Sequence, residues 1–387
     1  MSDSRPTLRV LGIRGLPAAH GGFETFAAEL APWLVGRGWR VVVYCQEDGE
    51  GPVVYDQWHG IERVRIPVLT GGAAGTVVFD WRAVRHAAAQ GDLCLTLGYN
   101  TAVFCAWLRL RGVPNVINMD GIEWARAKWG PVARAWFRIN ELAGCWLGDH
   151  LVADHPQIQA HLAARAPARR ITMIPYGAPH VAEASVEPLE SLCLQPQQYL
   201  TLIARPEPEN SVLEVVQAFS RRPRGVQLVV LGAYSEANPY HVKVRAVASG
   251  EVRFVGAIYQ ADVLRALRVH CLAYVHGHRV GGTNPSLVEA LGAGNAVLAH
   301  DNRFNRWVAG EAARYFADSE ALDTLLTRWL ADPKAAQTMR QASRLRHAQA
   351  FTWPQVLAQY EELLVRHLPP AQRERHQAAT ATSLLQG

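Results

Sequence analysis

Residues 276 to 294 read HGHRVGGTNPSLVEALGAG, in which Gly281, Gly282, Thr283 and Asn284 lead directly into Pro285 and an apolar helical pattern. Proline suits the first turn of a helix, where its missing N–H would have no partner anyway. The backbone N–H groups of Gly281, Gly282, Thr283 and their neighbour Asn284 can then face an anion. Glycine lets the backbone come close, and the helix N-terminus adds partial positive charge, so the loop can grip a diphosphate without a lysine. The structural alternative is an ordinary strand-to-helix turn, but Gly-Gly-Thr-Asn-Pro is more elaborate than a turn requires. GIRGLPAAHGGFETF (12–26) repeats the logic: Gly21 and Gly22 precede a helix expected from about Phe23, a second anion-binding helix start. Its glycines do not follow the Gly-x-Gly-x-x-Gly of dinucleotide enzymes, and no acid clearly closes the second strand in the expected register, which weighs against an oxidoreductase.

Arg205 ends the apolar run YLTLIAR, where a guanidinium would meet a phosphate; a lone arginine is otherwise a solvated surface group. NVINMDGIEW delivers Asp120 and Glu123 to the end of another strand, and either carboxylate could accept a proton from a hydroxyl. The alternative for Asp120 is a helix N-cap or turn acid.

The elements that must position these residues are short β-branched runs alternating with helical patterns: 8–13, 40–45, 92–98, 115–119 and 150–154, then 199–205, 226–232, 251–256, 270–275 and 295–300. This is a parallel α/β pattern in two doubly wound halves, whose ligands bind outside the carboxyl ends of the strands; two such halves facing each other would make a cleft. Residues 53–68 read as an inserted hairpin turning at His59-Gly60. FETFAAELAPWLVGRG has helical spacing and a glycine stop, and 174–198, rich in proline and glutamate without clear periodicity, is the linker candidate.

At 387 residues the chain is long enough for two domains, at about 150 residues each. With 49% hydrophobic and 19% charged residues it reads as a soluble globular protein rather than a disordered one. A formal charge of +5 and a pI near 9.0 favour anionic partners, whether nucleic acid, a phosphorylated ligand or an acidic membrane face. Six dispersed cysteines without a Cys-x-x-Cys pair predict buried reduced thiols. No signal peptide and no apolar run of about 18 residues is visible, so a cytoplasmic location is expected.

Taken together, GIRGLPAAHGGFETF, LGYN, INMDGIEWARAKWG, IPYGA, ARPEPEN and HGHRVGGTNPSLVEA resemble glycosyltransferase family 4, closest to the bacterial branch with rhamnosyltransferases of capsule and O-antigen assembly. The resemblance covers about residues 7 to 367. It implies the GT-B fold: a Rossmann-like acceptor-side domain (1–180), a Rossmann-like nucleotide-sugar-binding domain (199–350), a last helix returning to the first domain (351–367) and a flexible tail (368–387). Arg205 matches the family's diphosphate arginine, whereas the companion lysine falls on Asn210. Of the family's two glutamates eight positions apart, the second, which holds the nucleotide's ribose, matches Glu289; the first falls on Gly281. The family histidine of the first domain falls on or near Asp120. His276, His278 and Arg279 could replace some of the lost polar contacts, or merely satisfy the loop backbone.

The resemblance implies transfer of a sugar, L-rhamnose from dTDP-L-rhamnose, from a nucleoside diphosphate sugar donor to a lipid-linked or oligosaccharide acceptor in bacterial surface polysaccharide biosynthesis, with no nucleic acid partner. UDP- and GDP-sugars stay open. No cofactor is expected, and no metal: there is no Asp-x-Asp, and two histidines do not complete a site. Residues 123–148 interleave Trp124, Trp129, Trp136, Phe137 and Trp146 with Arg126, Lys128, Arg134 and Arg138, which suits an anionic membrane surface; an ordinary helix, core on one face and solvated on the other, is the alternative. The competing functions are a non-catalytic sugar-nucleotide-binding subunit and a nucleotide-sugar epimerase.

Overall fold

The computed structural model describes residues 5–19, 21–126, 128–370 and 372–374. The chain forms two compact units. The first comprises the N-terminal segment through Trp124, Pro131–Ile174 and the chain from Pro354; the second comprises Ala125–Gly130 and Pro175–Trp353.

The first unit holds eight strands: β1 (Thr7–Leu11), β2 (Arg40–Asp48), β3 (Val54–Trp58), β4 (Ile61–Val68), β5 (Leu93–Leu97), β6 (Asn115–Asn118), β7 (His150–Ala153) and β8 (Ile171–Met173). Their order is β3-β4-β2-β1-β5-β6-β7-β8, parallel throughout except the β3–β4 hairpin. Every residue of β1 and of β5 is buried, as in a parallel sheet with both faces covered; Arg9, the one charged residue among them, is paired with Asp92 at 2.7 Å. The hairpin turns at His59 and Gly60, as expected, with φ of 49° and 79°; two consecutive left-handed residues match the twist of a two-residue hairpin. β2 runs three residues further than the apolar pattern, so the second strand does close on acids. Glu47 is spent on Arg65, and Asp48 is exposed.

The second unit holds β9 (Tyr199–Ile203), β10 (Gln227–Leu231), β11 (Val252–Gly256), β12 (Tyr274–His276), β13 (Val297–His300) and β14 (Ala313–Phe316), all parallel in the order β11-β10-β9-β12-β13-β14. β12 differs from the 270–275 expected. The helix Ala261–Val269 is capped by His270, whose N–H bonds the Ala266 carbonyl, so the strand starts later and takes in His276. β8 and β14 are not among the strands expected from the sequence; β14 alternates, with Arg314 exposed and Tyr315 half-buried, and so lacks the apolar run of a fully buried strand.

The 174–198 stretch is not a bare linker. From Pro175 it belongs to the second unit, where it forms the short helix Glu187–Ser191 and buries Leu189 and Leu194 against Leu231 and Leu267. All six cysteines are free and five are buried; Cys193, in this stretch, is exposed. The helix Trp353–His367 packs Tyr360 on Phe26 of the first unit, ring centroids 4.5 Å apart. Of the expected tail, Ala371 and 375–387 lie outside the described residues. Among the described residues no helix is long and apolar enough to cross a membrane.

In each sheet the winding reverses between two adjacent parallel strands, β1 and β5 in the first and β9 and β12 in the second. The loops leaving these strands lie at their carboxyl ends, the place where doubly wound sheets bind ligands.

Candidate functional site

In the second unit, β9 runs into a turn carrying Arg205, and β12 runs into the 277–284 loop. The two turns are locked together. A Cβ on Gly277 would lie 2.2 Å from the Asn210 carbonyl oxygen, so only glycine allows this approach. The Arg279 N–H donates to the Glu209 carbonyl at 2.9 Å, and its guanidinium donates to Ser211 Oγ and Glu214 Oε1, both at 2.7 Å. Arg279 therefore braces the turn. Asn210, where the resemblance of the sequence motifs places a lysine, donates its side-chain amide to the Arg205 carbonyl at 2.9 Å. Arg205 itself is exposed, and among the described residues no carboxylate pairs with it.

The helix after β12 runs Pro285–Gly292 with Pro285 as its first residue, as the sequence predicts. Asn284 is its N-cap: its Oδ1 accepts the Ser286 N–H at 3.0 Å, so that side chain orders the helix start. Gly281 has φ +129°, a conformation other residues rarely adopt; Gly282 is half-buried and Thr283 is buried. No acid stands in the first turn of this helix.

His276 is the last residue of β12, fully buried, rather than a loop residue. Its ring stacks on His278, centroids 4.4 Å apart and planes within 11°, and its Nδ1 meets the Tyr274 hydroxyl at 3.1 Å. His276 Nε2 and His278 Nδ1 are buried without a hydrogen-bond partner. Burial holds His276 well below the usual histidine range. His278 is pushed down to about 3, first by burial and then by Arg126 and Arg205, so both rings are neutral near pH 7.

Arg126 was legible in the sequence only as part of an aromatic-basic segment. It belongs to the second unit and pairs with the buried Glu209 at 3.0 Å. Glu289 lies on the helix as expected, but its carboxylate is held by Arg268 from the end of the Ala261–Val269 helix, a neighbour that spacing along the chain does not show.

In the first unit, Gly21 caps and Gly22 opens the helix Gly22–Val35. This start differs from the expected second anion site. Glu24 sits in its first turn, buried, accepting the Arg14 N–H at 3.3 Å, so a carboxylate already occupies the positive helix end. Asp120 and Glu123 both follow β6. Asp120 adopts φ 53°, an uncommon conformation that aspartate tolerates, and its N–H donates to Asn118 Oδ1 at 3.0 Å. Asn118 in turn donates to the Tyr360 hydroxyl at 2.7 Å, so the C-terminal helix backs the turn. The Glu123 N–H donates to the Tyr99 hydroxyl of LGYN at 2.7 Å. Asp120 is a turn acid and caps no helix, since the next helical turn begins at Glu123.

The helix Pro131–Leu147 buries Glu141, which accepts from Trp124 Nε1 at 2.8 Å and pairs with Arg165 at 3.0 Å. Its other face leaves Val132 84%, Ile139 55% and Trp146 66% exposed, with Trp136, Arg134 and Arg138 exposed beside them. Trp136 Nε1 donates to the Asn100 carbonyl, just beyond β5, at 2.9 Å. Among the described residues, no three His, Cys, Asp or Glu side chains converge as metal ligands.

Comparison with known proteins bears on both units. Residues 6–179 match a family described as a domain of unknown function, DUF1972, and residues 212–362 match the family described as glycosyl transferase-like. No curated protein matches the chain. Among solved structures, sucrose-phosphate synthase from Thermosynechococcus elongatus is similar with a TM-score of 0.75 at 19% identity, covering 93% of this chain and 98% of that one. Anabaena Alr3699/HepE, in complex with UDP-glucose, gives 0.74 at 15% identity, covering 93% and 99%. An alpha,alpha-trehalose 6-phosphate synthase from Burkholderia multivorans gives 0.72 at 13%, covering 97% and 100%. Likenesses at these identities establish the fold, which is of the GT-B type.

Proposed function

We propose that this GT-B glycosyltransferase takes its sugar from a nucleoside diphosphate donor, and that the sugar is L-rhamnose carried on dTDP. The observation that carries the donor class is the β9/β12 switch point of the second unit. There an exposed Arg205 without a carboxylate partner stands at the end of one strand, and a helix start with no acid in its first turn follows the other. A leaving diphosphate gains charge as the glycosidic bond breaks, so preorganised N–H groups of Gly281, Gly282 and Thr283 together with Arg205 favour the transition state over the ground state. Asp120 accepts the proton of the acceptor hydroxyl, with Glu123 the second choice; either assignment needs no metal to carry the charge. The similar fold of Alr3699/HepE, which is in complex with UDP-glucose, agrees with a nucleotide-sugar donor.

L-Rhamnose rests on the family resemblance of the sequence motifs. The acceptor in this reading is a lipid-linked saccharide of surface polysaccharide assembly. The exposed Val132, Ile139 and Trp146 with Arg134 and Arg138 support a peripheral seat on an anionic membrane face.

A donor panel of dTDP-rhamnose, UDP-glucose and GDP-mannose, assayed for hydrolysis and for transfer to a lipid-diphosphate-sugar mimic in the presence of EDTA, tests the reading. Turnover of dTDP-rhamnose is expected; turnover of the other donors alone refutes rhamnose and leaves the donor class standing. One set of observations favours a second reading, a non-catalytic binding subunit: Gly281 and Asn210 replace the family glutamate and lysine, and Glu289 is engaged by Arg268. Binding of a nucleoside diphosphate sugar without hydrolysis or transfer would select it.

A further inference from the structure

We propose that Arg126 supplies the second positive charge of the diphosphate site, in place of the lysine that is Asn210 here, and that Glu209 positions it. The inference rests on the donor site proposed above.

Asn210 cannot take the lysine's part, since it is uncharged, buried and engaged with the Arg205 carbonyl. Arg126 is anchored to the same turn. Its guanidinium lies 3.0 Å from the carboxylate of Glu209, the residue immediately before Asn210. The Glu209 carbonyl accepts the Arg279 N–H, and the Asn210 carbonyl is the atom against which Gly277 closes. Arg126 is thus tied to the point where the Arg205 turn and the 277–284 loop meet. The pair is lopsided: the Glu209 side chain is 6% exposed and that of Arg126 is 27% exposed. A buried carboxylate needs a fixed partner, and a planar guanidinium with five donors can hold a carboxylate and a phosphate together, which a lysine's point charge does less well. Arg126 and Arg205 both disfavour protonation of His278, whose ring is neutral near pH 7 and adds no charge of its own.

The test uses the full chain and calorimetric binding of dTDP against dTMP and of UDP against UMP, with thermal unfolding measured alongside. Arg126→Ala should weaken diphosphate binding about ten- to a hundredfold while changing monophosphate binding much less, as loss of a charge-assisted contact to the outer phosphate requires. Arg126→Lys should keep most of the preference for diphosphate. If Arg126→Ala disturbs folding, Arg126→Gln, which keeps a donor for Glu209 and removes the charge, should show the same selective loss. A wild-type ratio of diphosphate to monophosphate affinity in Arg126→Gln, or equal loss of both ligands, overturns the role of Arg126. If wild type binds no nucleoside diphosphate, or Arg205→Ala binds it as well as wild type, the donor site itself has failed. If Arg205→Ala weakens binding and the Arg126 variants do not, only this inference has failed.

Discussion

At the switch point of the first sheet, the helix after β1 starts on Gly21-Gly22 with Glu24 buried in its first turn. At the switch point of the second, the helix after β12 starts on Asn284-Pro285 with no acid there. The two edges share a switch point and glycine-rich loops but differ in charge. The first carries the carboxylates Glu24, Asp120 and Glu123; the second carries Arg126 paired with Glu209, Arg279 paired with Glu214, and Arg205, which has no carboxylate partner among the described residues. A helix N-terminus is the same dipole in both, so the glycines do not decide what binds. The charges around them do. In the proposed reading, proton acceptance belongs to the first unit and anion binding to the second.

The largest test of that division is Asp120→Asn, which keeps the shape and removes the base. We expect kcat to fall by about 10²- to 10⁴-fold with nucleoside diphosphate affinity unchanged, since the anion site is on the other sheet. Retained turnover in this variant and lost turnover in Glu123→Gln would exchange the two carboxylates. Arg205→Ala should do the converse, costing roughly 1.5 to 3 kcal/mol of donor interaction in kcat/KM and in calorimetric binding while leaving the unfolding temperature nearly unchanged. An unaltered kcat/KM removes Arg205 from the site.

Gly277→Ala places a methyl on the Asn210 carbonyl, at a cost in stability of about 1 to 3 kcal/mol with loss of nucleoside diphosphate binding. Gly12→Ala is the matched change in the first unit, where the added carbon would lie 2.3 Å from the Leu97 carbonyl oxygen, again at the carboxyl edge of the switch point. Denaturant unfolding of the two variants, with binding measured alongside, shows whether the second edge alone governs the anion.

His276 and His278 sharpen the comparison through pH. Both are held below the ordinary 6.5, His278 at about 3, so the unfolded chain binds protons that the folded chain refuses. Their contribution is fully present above about pH 6.5 and is lost progressively as pH falls toward 3. His278→Asn should flatten the decline of the unfolding temperature over that window; an identical slope would contradict neutral burial of this ring. The smallest expected effect on stability, within about 0.5 kcal/mol, is that of Trp146→Ala on the exposed face of the Pro131–Leu147 helix. Co-sedimentation with anionic liposomes at low salt should drop in this variant, and its absence in wild type would exclude the membrane seat.

What the sequence determined by itself is local. Apolar runs marked the long strands because parallel strands are buried on both faces; His59-Gly60 marked the hairpin because both residues accept left-handed φ; Asn284-Pro285 marked a helix start because cap and proline act within one turn. The motif positions of Arg205, Asp120 and the 281–284 loop at carboxyl ends of strands followed from the same periodicity. Only the tertiary structure decided how these groups are engaged. Arg126 and Glu209 are 83 positions apart and Arg268 and Glu289 are 21 apart on different helices, and neither pairing follows a spacing rule of helix or strand. Asn118 and Tyr360, 242 positions apart, set the turn that carries Asp120. A periodic pattern reports which face of one element is buried. The identity of the group packed against that face depends on the path of the whole chain, so the charge partners of these residues became visible only in the folded protein.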